Sequence, residues 1–470
     1  MIKTAAEKSS QNTVSHQYSY AWRWHFYAGL YVIPFMLMLS ITGLIMLLYK
    51  PVIAPALYGE LLDVTAEDGA YAPWTEQQQV VQQAYPDATI TQLSLPLNAE
   101  QSTLFTVKSA EGENINVYLN PYSAKLLGSN SKDDSLYALA DEIHGTFLLG
   151  KTGDALIELA AGFTLVLILS GLYMWWPRNR QSWRQTLLPQ LRLNGRGLWK
   201  SLHKSLGGWL AIALLFLAIT GLSWTGIWGA KIVQPWNSFP IGVYDGIPTS
   251  TKTHASLNPG VIEEIPWNLE QTPLPESGSS AGTAAITSAV NLDSVVQHAY
   301  GLGMKGFRVN LPRDERGVYT IVAATMNKDP IAPTQDRTVH IDQYTGNILM
   351  DIRFEDYGLM AKAMAIGVPL HMGLWGTANL VLNVLVCLGC IFLSISGLIL
   401  WWKRRPAGAR LSINAPKASS AKLWKGAMGI WLVIAVTVPL VGASLIAITL
   451  IDKLLIQRLL KSDKPLAEPS

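Results

Sequence analysis

The chain has 470 residues, of which 49% are hydrophobic and 15% charged, and its formal net charge is +3. Its length leaves room for two to four domains, while that ratio of apolar to charged residues belongs to membrane proteins rather than soluble ones. No glycine-rich dinucleotide fingerprint follows a strand and no P-loop is present, so neither a nicotinamide nor a nucleotide site is expected, and no nucleic-acid partner either.

Residues 1–50 hold an N-terminal tail and a first apolar run. Phe26 to Tyr49 is 24 residues without a charge. As a helix it would rise about 36 Å, enough for a hydrocarbon core of roughly 30 Å. It is too long for the apolar region of a secretory signal, and no small-residue cleavage site follows, so it should remain as an anchor. Four more runs qualify, at 154–176, 207–229, 379–402 and 426–451. The expected fold class is a mainly α membrane protein with about five transmembrane helices. The expected division gives a first outer domain at 51–143, a second helix at 144–177, a basic loop at 178–204 and a third helix at 205–229. A second outer domain at 230–370 contains a mobile insertion at 246–282, before a fourth helix at 371–402, a second basic loop at 403–425, a fifth helix at 426–451 and a tail at 452–470.

Charge orients these elements. Residues 177–204 and 403–425 each carry seven basic residues and no acid, whereas 51–150 carries three basic and thirteen acidic residues. Both basic loops should be cytoplasmic and both large loops periplasmic. Five crossings would leave the tail outside together with Lys453, Arg458, Lys461 and Lys464, against that bias. Cys387 and Cys390 lie inside the fourth run and read as small packing residues of a membrane helix.

The chain also repeats itself. RWHFYAGLYVIP (23–34) returns as SLHKSLGGWLAI (201–212), and ITGL recurs 17 residues after each histidine, carrying Thr42 and Thr220. EIHGTFLLG (142–150) and PLHMGLWG (369–376) open helices that close with SGLYMWWPR (170–178) and SGLILWWKR (396–404). Between the paired helices, WTEQQQVVQQAYPDATI and DSVVQHAYG read as helices, and TLFTVKS and VYTIVAA alternate as strands. VYLNPYSAKLL (117–127) and VHIDQYTGNIL (339–349) align residue for residue. A duplicated two-helix unit, each copy with a small α+β domain outside the membrane, accounts for this.

These motifs, over roughly residues 18–450, make the chain resemble the PepSY-associated transmembrane helix family, whose outer domains are PepSY-like. Within it, the four repeated histidines make it most similar to iron-regulated inner-membrane proteins that act as di-haem siderophore reductases. If the halves face each other about an axis normal to the membrane, His25 meets His203 near the inner surface and His144 meets His371 near the outer one. Two opposed neutral imidazoles can fill both axial positions of a haem iron, so the expected cofactors are two haem b groups. No CxxCH is present, so covalent attachment is excluded. The bland alternative is that these are interfacial polar residues whose recurrence merely records the duplication.

Glu158, about one turn inside the second run, would hydrogen-bond a ligand imidazole, conduct a proton, or reach back to the outer interface. Arg23, Lys200 and Lys204 beside the inner histidines would pair with haem propionates or serve only the positive-inside bias. His16, His254, His298 and His340 are weaker candidates. The tryptophans at 175–176 and 401–402 read first as an interfacial belt.

The resemblance implies an oxidoreductase that takes electrons from an unidentified cytoplasmic donor and reduces a ferric siderophore outside, releasing Fe(II). Apart from membrane lipid, the siderophore and the donor are the only partners implied. Two other readings stand beside it: a non-enzymatic membrane protein whose outer domains bind a protein or peptide, and a haem protein that passes electrons to a partner redox protein.

Overall fold

The structure, a computed structural model, describes residues 5–178, 182–236, 245–258, 264–325, 329, 331–404 and 425–451. Most of the 403–425 loop and the whole 452–470 tail lie outside the described residues. The chain divides into two compact units, one of residues 1–41, 145–233 and 386–470, the other of 42–144 and 234–385.

In chain order, α1 (Ala5–Leu48) runs through a π turn at Tyr49–Ile53 into α2 (Ala54–Leu62). The first outer segment is α3 (Trp74–Ala84) with β1 (Thr89–Ser94), β2 (Thr103–Lys108), β3 (Asn114–Leu119) and β4 (Leu126–Ser131). Then come α4 (Leu136–Thr146), α5 (Gly150–Trp175), the short α6 (Trp183–Leu187) and α7 (Gly195–Leu222). The second outer segment contains β5 (Thr249–Thr253), β6 (Pro273–Pro275), β7 (Thr283–Ala284), α8 (Leu292–Gly301), β8 (Arg308–Asn310), β9 (Val318–Ala323), β10 (Arg337–Asp342) and β11 (Asn347–Arg353). It leads into α9 (Leu359–His371), α10 (Gly376–Trp402), α11 (Lys425–Thr437) and α12 (Pro439–Ile451).

Four helical segments are long and apolar enough to cross a membrane: 17–62, 150–175, 195–222 and 376–402. The fifth expected span is a bent pair, because the chain turns by 117° between Met428–Thr437 and Pro439–Ala447. Pro439 lacks the N–H that would continue the helix. Within the first unit, Gly162 of α5 lets Val438 and Val441 approach so closely that a Cβ there would meet Val441 at 2.5 Å. Ala28, Val166 and Ile434 complete that contact.

In the second unit the two expected outer domains share a single nine-stranded sheet in the order β4-β3-β2-β1-β8-β9-β10-β11-β7. The seam is the antiparallel pairing of β1 with β8, Gln92 opposite Asn310 and Ser94 opposite Arg308. Pairing abolishes the two edges that separate sheets would expose. One hydrophobic core, including Val81, Leu93, Phe105, Val295, Val309 and Ile321, serves both copies. Asp293 of α8 accepts from the Trp74 amide at 2.6 Å and from Thr75, so one copy's helix caps the other's.

The aligned hairpins are alike in detail. Each slips register at one place, between Tyr118 and Leu119 and between His340 and Ile341. Each turn is closed by an Asx side chain, Asn120 accepting from Tyr122 and Ser123, Asp342 from Tyr344 and Thr345. The following left-handed position holds Ala124 at φ 52° in one copy and Gly346 at φ 69° in the other.

The insertion expected to be mobile is built into the core instead. β5 pairs with β6, and His254, Ile265, Trp267, Leu269 and Leu274 are buried; residues 259–263 lie outside the described residues. Glu264 accepts from Lys132 at 2.9 Å and from Arg308 at 3.0 Å, and from Gln92, so the insertion clamps both copies at the seam. Burial alone would raise the Glu264 carboxyl, but the Lys132 ammonium and Arg308 guanidinium overturn that and hold it at about 2.

Candidate functional site

All four repeated histidines sit elsewhere on their helices than the sequence suggested. His25 is deep inside α1, which already begins at Ala5, and His203 is inside α7, which begins at Gly195. His144 is near the end of α4 and His371 is the last residue of α9, so neither opens a span. A tight turn separates each from the helix that follows. Phe147, Leu148 and Gly150 take left-handed conformations before α5, and Gly373 and Gly376 do so before α10. The spans therefore begin at Gly150 and Gly376 rather than at the histidines.

The inner pair belongs to the first unit. The His25 and His203 ring centres are 6.4 Å apart and the ring planes cross at 86°. His25 Nδ1 lies 3.0 Å from Ser170 Oγ and 3.1 Å from the Leu167 carbonyl. His203 Nδ1 lies 2.7 Å from Ser396 Oγ and also meets the Leu393 backbone. The two settings are copies of one another, a serine and the carbonyl three residues before it. The glycine after each serine makes room for the ring, since a Cβ on Gly171 would meet His25 Cε1 at 3.1 Å and one on Gly397 would meet His203 Cε1 at 3.8 Å. The SGL motif, which the sequence offers only as a helix ending, is thus a seat for a histidine.

A carbonyl can only accept, so His25 Nδ1 carries the hydrogen and Nε2 keeps its lone pair. An iron held at about 2 Å by each of two such nitrogens, themselves about 1.2 Å from their ring centres, would separate those centres by roughly 6.4 Å. The observed distance between ring centres, 6.4 Å, is of that size. On the same helices as His203 and Gly397, though lined by neither histidine, an open space of about 640 Å³ is bounded by Trp199, Leu398, Ile399, Trp401, Trp402 and Lys403. Trp199 is one turn before His203, and the apolar walls with a single cation suit a flat macrocycle bearing carboxylates.

The outer pair belongs to the second unit. His144 Nδ1 is 2.8 Å from Thr42 Oγ1, the threonine of the first ITGL. His371 and His144 are near enough to couple electrostatically. Asn383 holds the end of α9 by donating to the Leu370 carbonyl at 2.7 Å and the His371 carbonyl at 2.9 Å, and Asn379 adds a third such bond. These two amides, one turn apart within an apolar run, were the available signal for that seat.

Glu158 has no hydrogen bond to any of the histidines. It is fully buried, and its Oε2 accepts from the Ile227 and Trp228 amides at 3.1 and 3.0 Å, while Asp154 accepts from Gly226. These acids of α5 hold the turn that follows α7, a structural use of an intramembrane carboxylate. Arg23 lies over the Tyr27 ring at 5.6 Å. Lys204 shares the neighbourhood of Lys200 and Arg178, and among the described residues neither lysine is ion-paired to an acid. Arg404, the counterpart of Arg178, lies over Trp22 and Phe26 on either side of His25.

Of the weaker histidines, the side chain of His16 lies outside the described residues and His298 stands apart. His254 and His340 form a buried pair, Nε2 to Nε2 at 2.9 Å, which neither sequence position announced. Its outer nitrogens meet the Thr272 carbonyl and Thr320 Oγ1, so the pair is closed by protein groups. Burial holds His254 down at about 4 and His340 well below its ordinary value. Among the described residues, no three or more His, Cys, Asp or Glu side chains gather as a metal site would require.

No curated protein matches the chain. Residues 22–404 match the PepSY-associated TM region, a stretch that takes in all four repeated histidines, both SGL motifs and the fused sheet. The protein is a multi-pass membrane protein and belongs to the PepSY-associated transmembrane family.

Proposed function

We propose that this protein is an inner-membrane di-haem b electron carrier that reduces ferric siderophores on the periplasmic side and releases Fe(II). The observation that carries the reading is the His25–His203 pair, 6.4 Å between ring centres, with the His25 Nδ1 engaged by α5. Two imidazoles alone do not hold a metal, and no third protein ligand is at hand among the described residues. A porphyrin would bring the four remaining donors. His144 and His371 would hold the second group, and Lys200, Lys204, Arg178 and Lys403 would offer cations to propionates.

The two histidine pairs would each hold a haem, and a haem so held would supply one-electron transfer. The chain's own residues then fix the ligands and keep water from the bundle. Hard hydroxamate or catecholate oxygens hold Fe(III) far better than Fe(II), so one electron delivered to the chelate is enough to loosen its iron. A cytoplasmic donor must supply that electron.

Protein purified from haem-replete cells should contain about two non-covalent b haems by pyridine haemochrome analysis. Once chemically reduced, it should be reoxidised by a ferric hydroxamate with Fe(II) appearing on a ferrous chelator. Absence of haem would favour a structural role for the histidines and a protein- or peptide-binding role for the outer sheet. Haem that is not reoxidised by the chelate would favour a partner redox protein as acceptor.

A further inference from the structure

Serines in membrane helices commonly return their hydroxyl hydrogen to a carbonyl of the preceding turn, and Ser170 and Ser396 do this, to Val166 at 2.6 Å and Leu393 at 3.0 Å. With its hydrogen so committed, each Oγ has only lone pairs to offer. Each lone pair faces an imidazole Nδ1, His25 for Ser170 and His203 for Ser396. The Leu167 carbonyl presents a second acceptor to the same His25 nitrogen, and Leu393 occupies the matching place for His203. Two acceptors and no donor admit one tautomer, Nδ1–H with a bare Nε2.

We propose that Ser170 and Ser396 are positioning residues that lock the inner histidines in the Nδ1–H tautomer, aim Nε2 at the space between them and strengthen it as a donor. The assignment rests on the haem reading for its consequence and on hydrogen-bond geometry alone for the tautomer. An Nδ1–H that donates to oxygen pushes electron density toward Nε2, which binds ferric iron more firmly and lowers the reduction potential. A serine that merely packed in the helix would do none of this, and alanine would replace it without effect on the ring. Both copies of the duplicated unit keep the contact, each with a glycine clearing the same ring.

The test uses full-length protein and Ser170→Ala and Ser396→Ala, with two readouts. In haem-free protein labelled with ¹⁵N-histidine, solid-state NMR should show His25 and His203 as Nδ1–H tautomers, and each alanine variant, which leaves the ring only its carbonyl acceptor, should move the Nδ1 resonance of its own histidine toward that of a weaker hydrogen bond. In haem-loaded protein, each variant should raise the midpoint potential of one haem, alter its ferric EPR anisotropy, and weaken haem binding about 10- to 100-fold, the usual cost of losing such a partner. Unchanged Nδ1 resonances in the variants overturn the proposal, and so does an unchanged potential in a variant that still binds haem. Should the unaltered protein bind no haem, the electron-carrier reading fails, and the NMR readout still decides whether the serines hold Nδ1–H.

Discussion

Glu264→Gln should open the seam of the outer sheet. The carboxylate lies between Lys132 and Arg308, each side chain of the three being a fifth exposed or less, so solvent screens the pairs little. Its ionisation moves from 4.5 down to about 2 on folding. That depression corresponds to roughly 3 kcal/mol. Mutational experience gives about 3–5 kcal/mol for removing one partner of a buried pair, because the survivor remains charged and uncompensated. The two routes agree on about 3 kcal/mol, which is roughly a 150-fold rise in local opening. Hydrogen exchange at the amides of β1 and β8 in detergent-solubilised protein should speed up by that order, with β3 and β10 less affected. The folded-state value is depressed, so this contribution is complete above pH 4.5 and disappears as pH falls toward 2; the glutamine variant should lack that decline. Adding Lys132→Met should recover part of the loss. Seam exchange within threefold of the unaltered protein would refute the claim that this carboxylate holds the two copies together.

Other consequences are separable. Gly171→Ala puts a Cβ 3.1 Å from the His25 ring and should lower inner haem occupancy, whereas Gly397→Ala, at 3.8 Å, should be tolerated; equal effects in the haem spectrum would contradict the seat described for SGL. Ala124→Gly should stabilise the outer sheet by about 1 kcal/mol, since alanine at positive φ is strained, and Gly346→Ala should destabilise it by more because a Cβ would also meet Ile286 at 2.7 Å. A thermal melt of each variant checks both signs. The neutral His254–His340 pair should stabilise the outer unit fully above about pH 6.5 and lose that contribution as pH falls toward 4, because the unfolded chain takes up protons that the buried rings refuse. His340→Phe should flatten that part of the pH–stability curve.

Spans and repeats were legible because each is written locally, in runs of apolar residues and in motifs that recur at fixed spacing. The fused sheet was not, since pairing β1 with β8 joins residues 218 apart and rests on Gln92, Asn310 and Glu264, ordinary polar residues in isolation. The insertion misled through composition. Its Pro, Ser and Thr residues outnumber the few large apolar side chains, yet Trp267, Leu269 and Leu274 are the ones that find the core. The four histidines were found through symmetry, but their seats were not, because a serine hydroxyl and a backbone carbonyl carry no signature until two helices meet. The turns at Phe147 and Leu148 lie beyond any propensity argument, as non-glycine residues rarely take positive φ.

The bend at Pro439 bears on which face of the bilayer the chain finally leaves. Its two arms are 13 residues each, about 20 Å long. Joined at 117°, they reach only about 20 Å from end to end, short of the roughly 30 Å of hydrocarbon. A pair bent in this way is either a broken span or a re-entrant loop. As a re-entrant loop it would return Lys453, Arg458, Lys461 and Lys464 to the side of the basic stretches 177–204 and 403–425. The re-entrant form removes the discord between the tail and the charge rule and predicts that a reporter fused after Leu450 gives the same sidedness as one fused before Trp22; a broken span predicts the opposite.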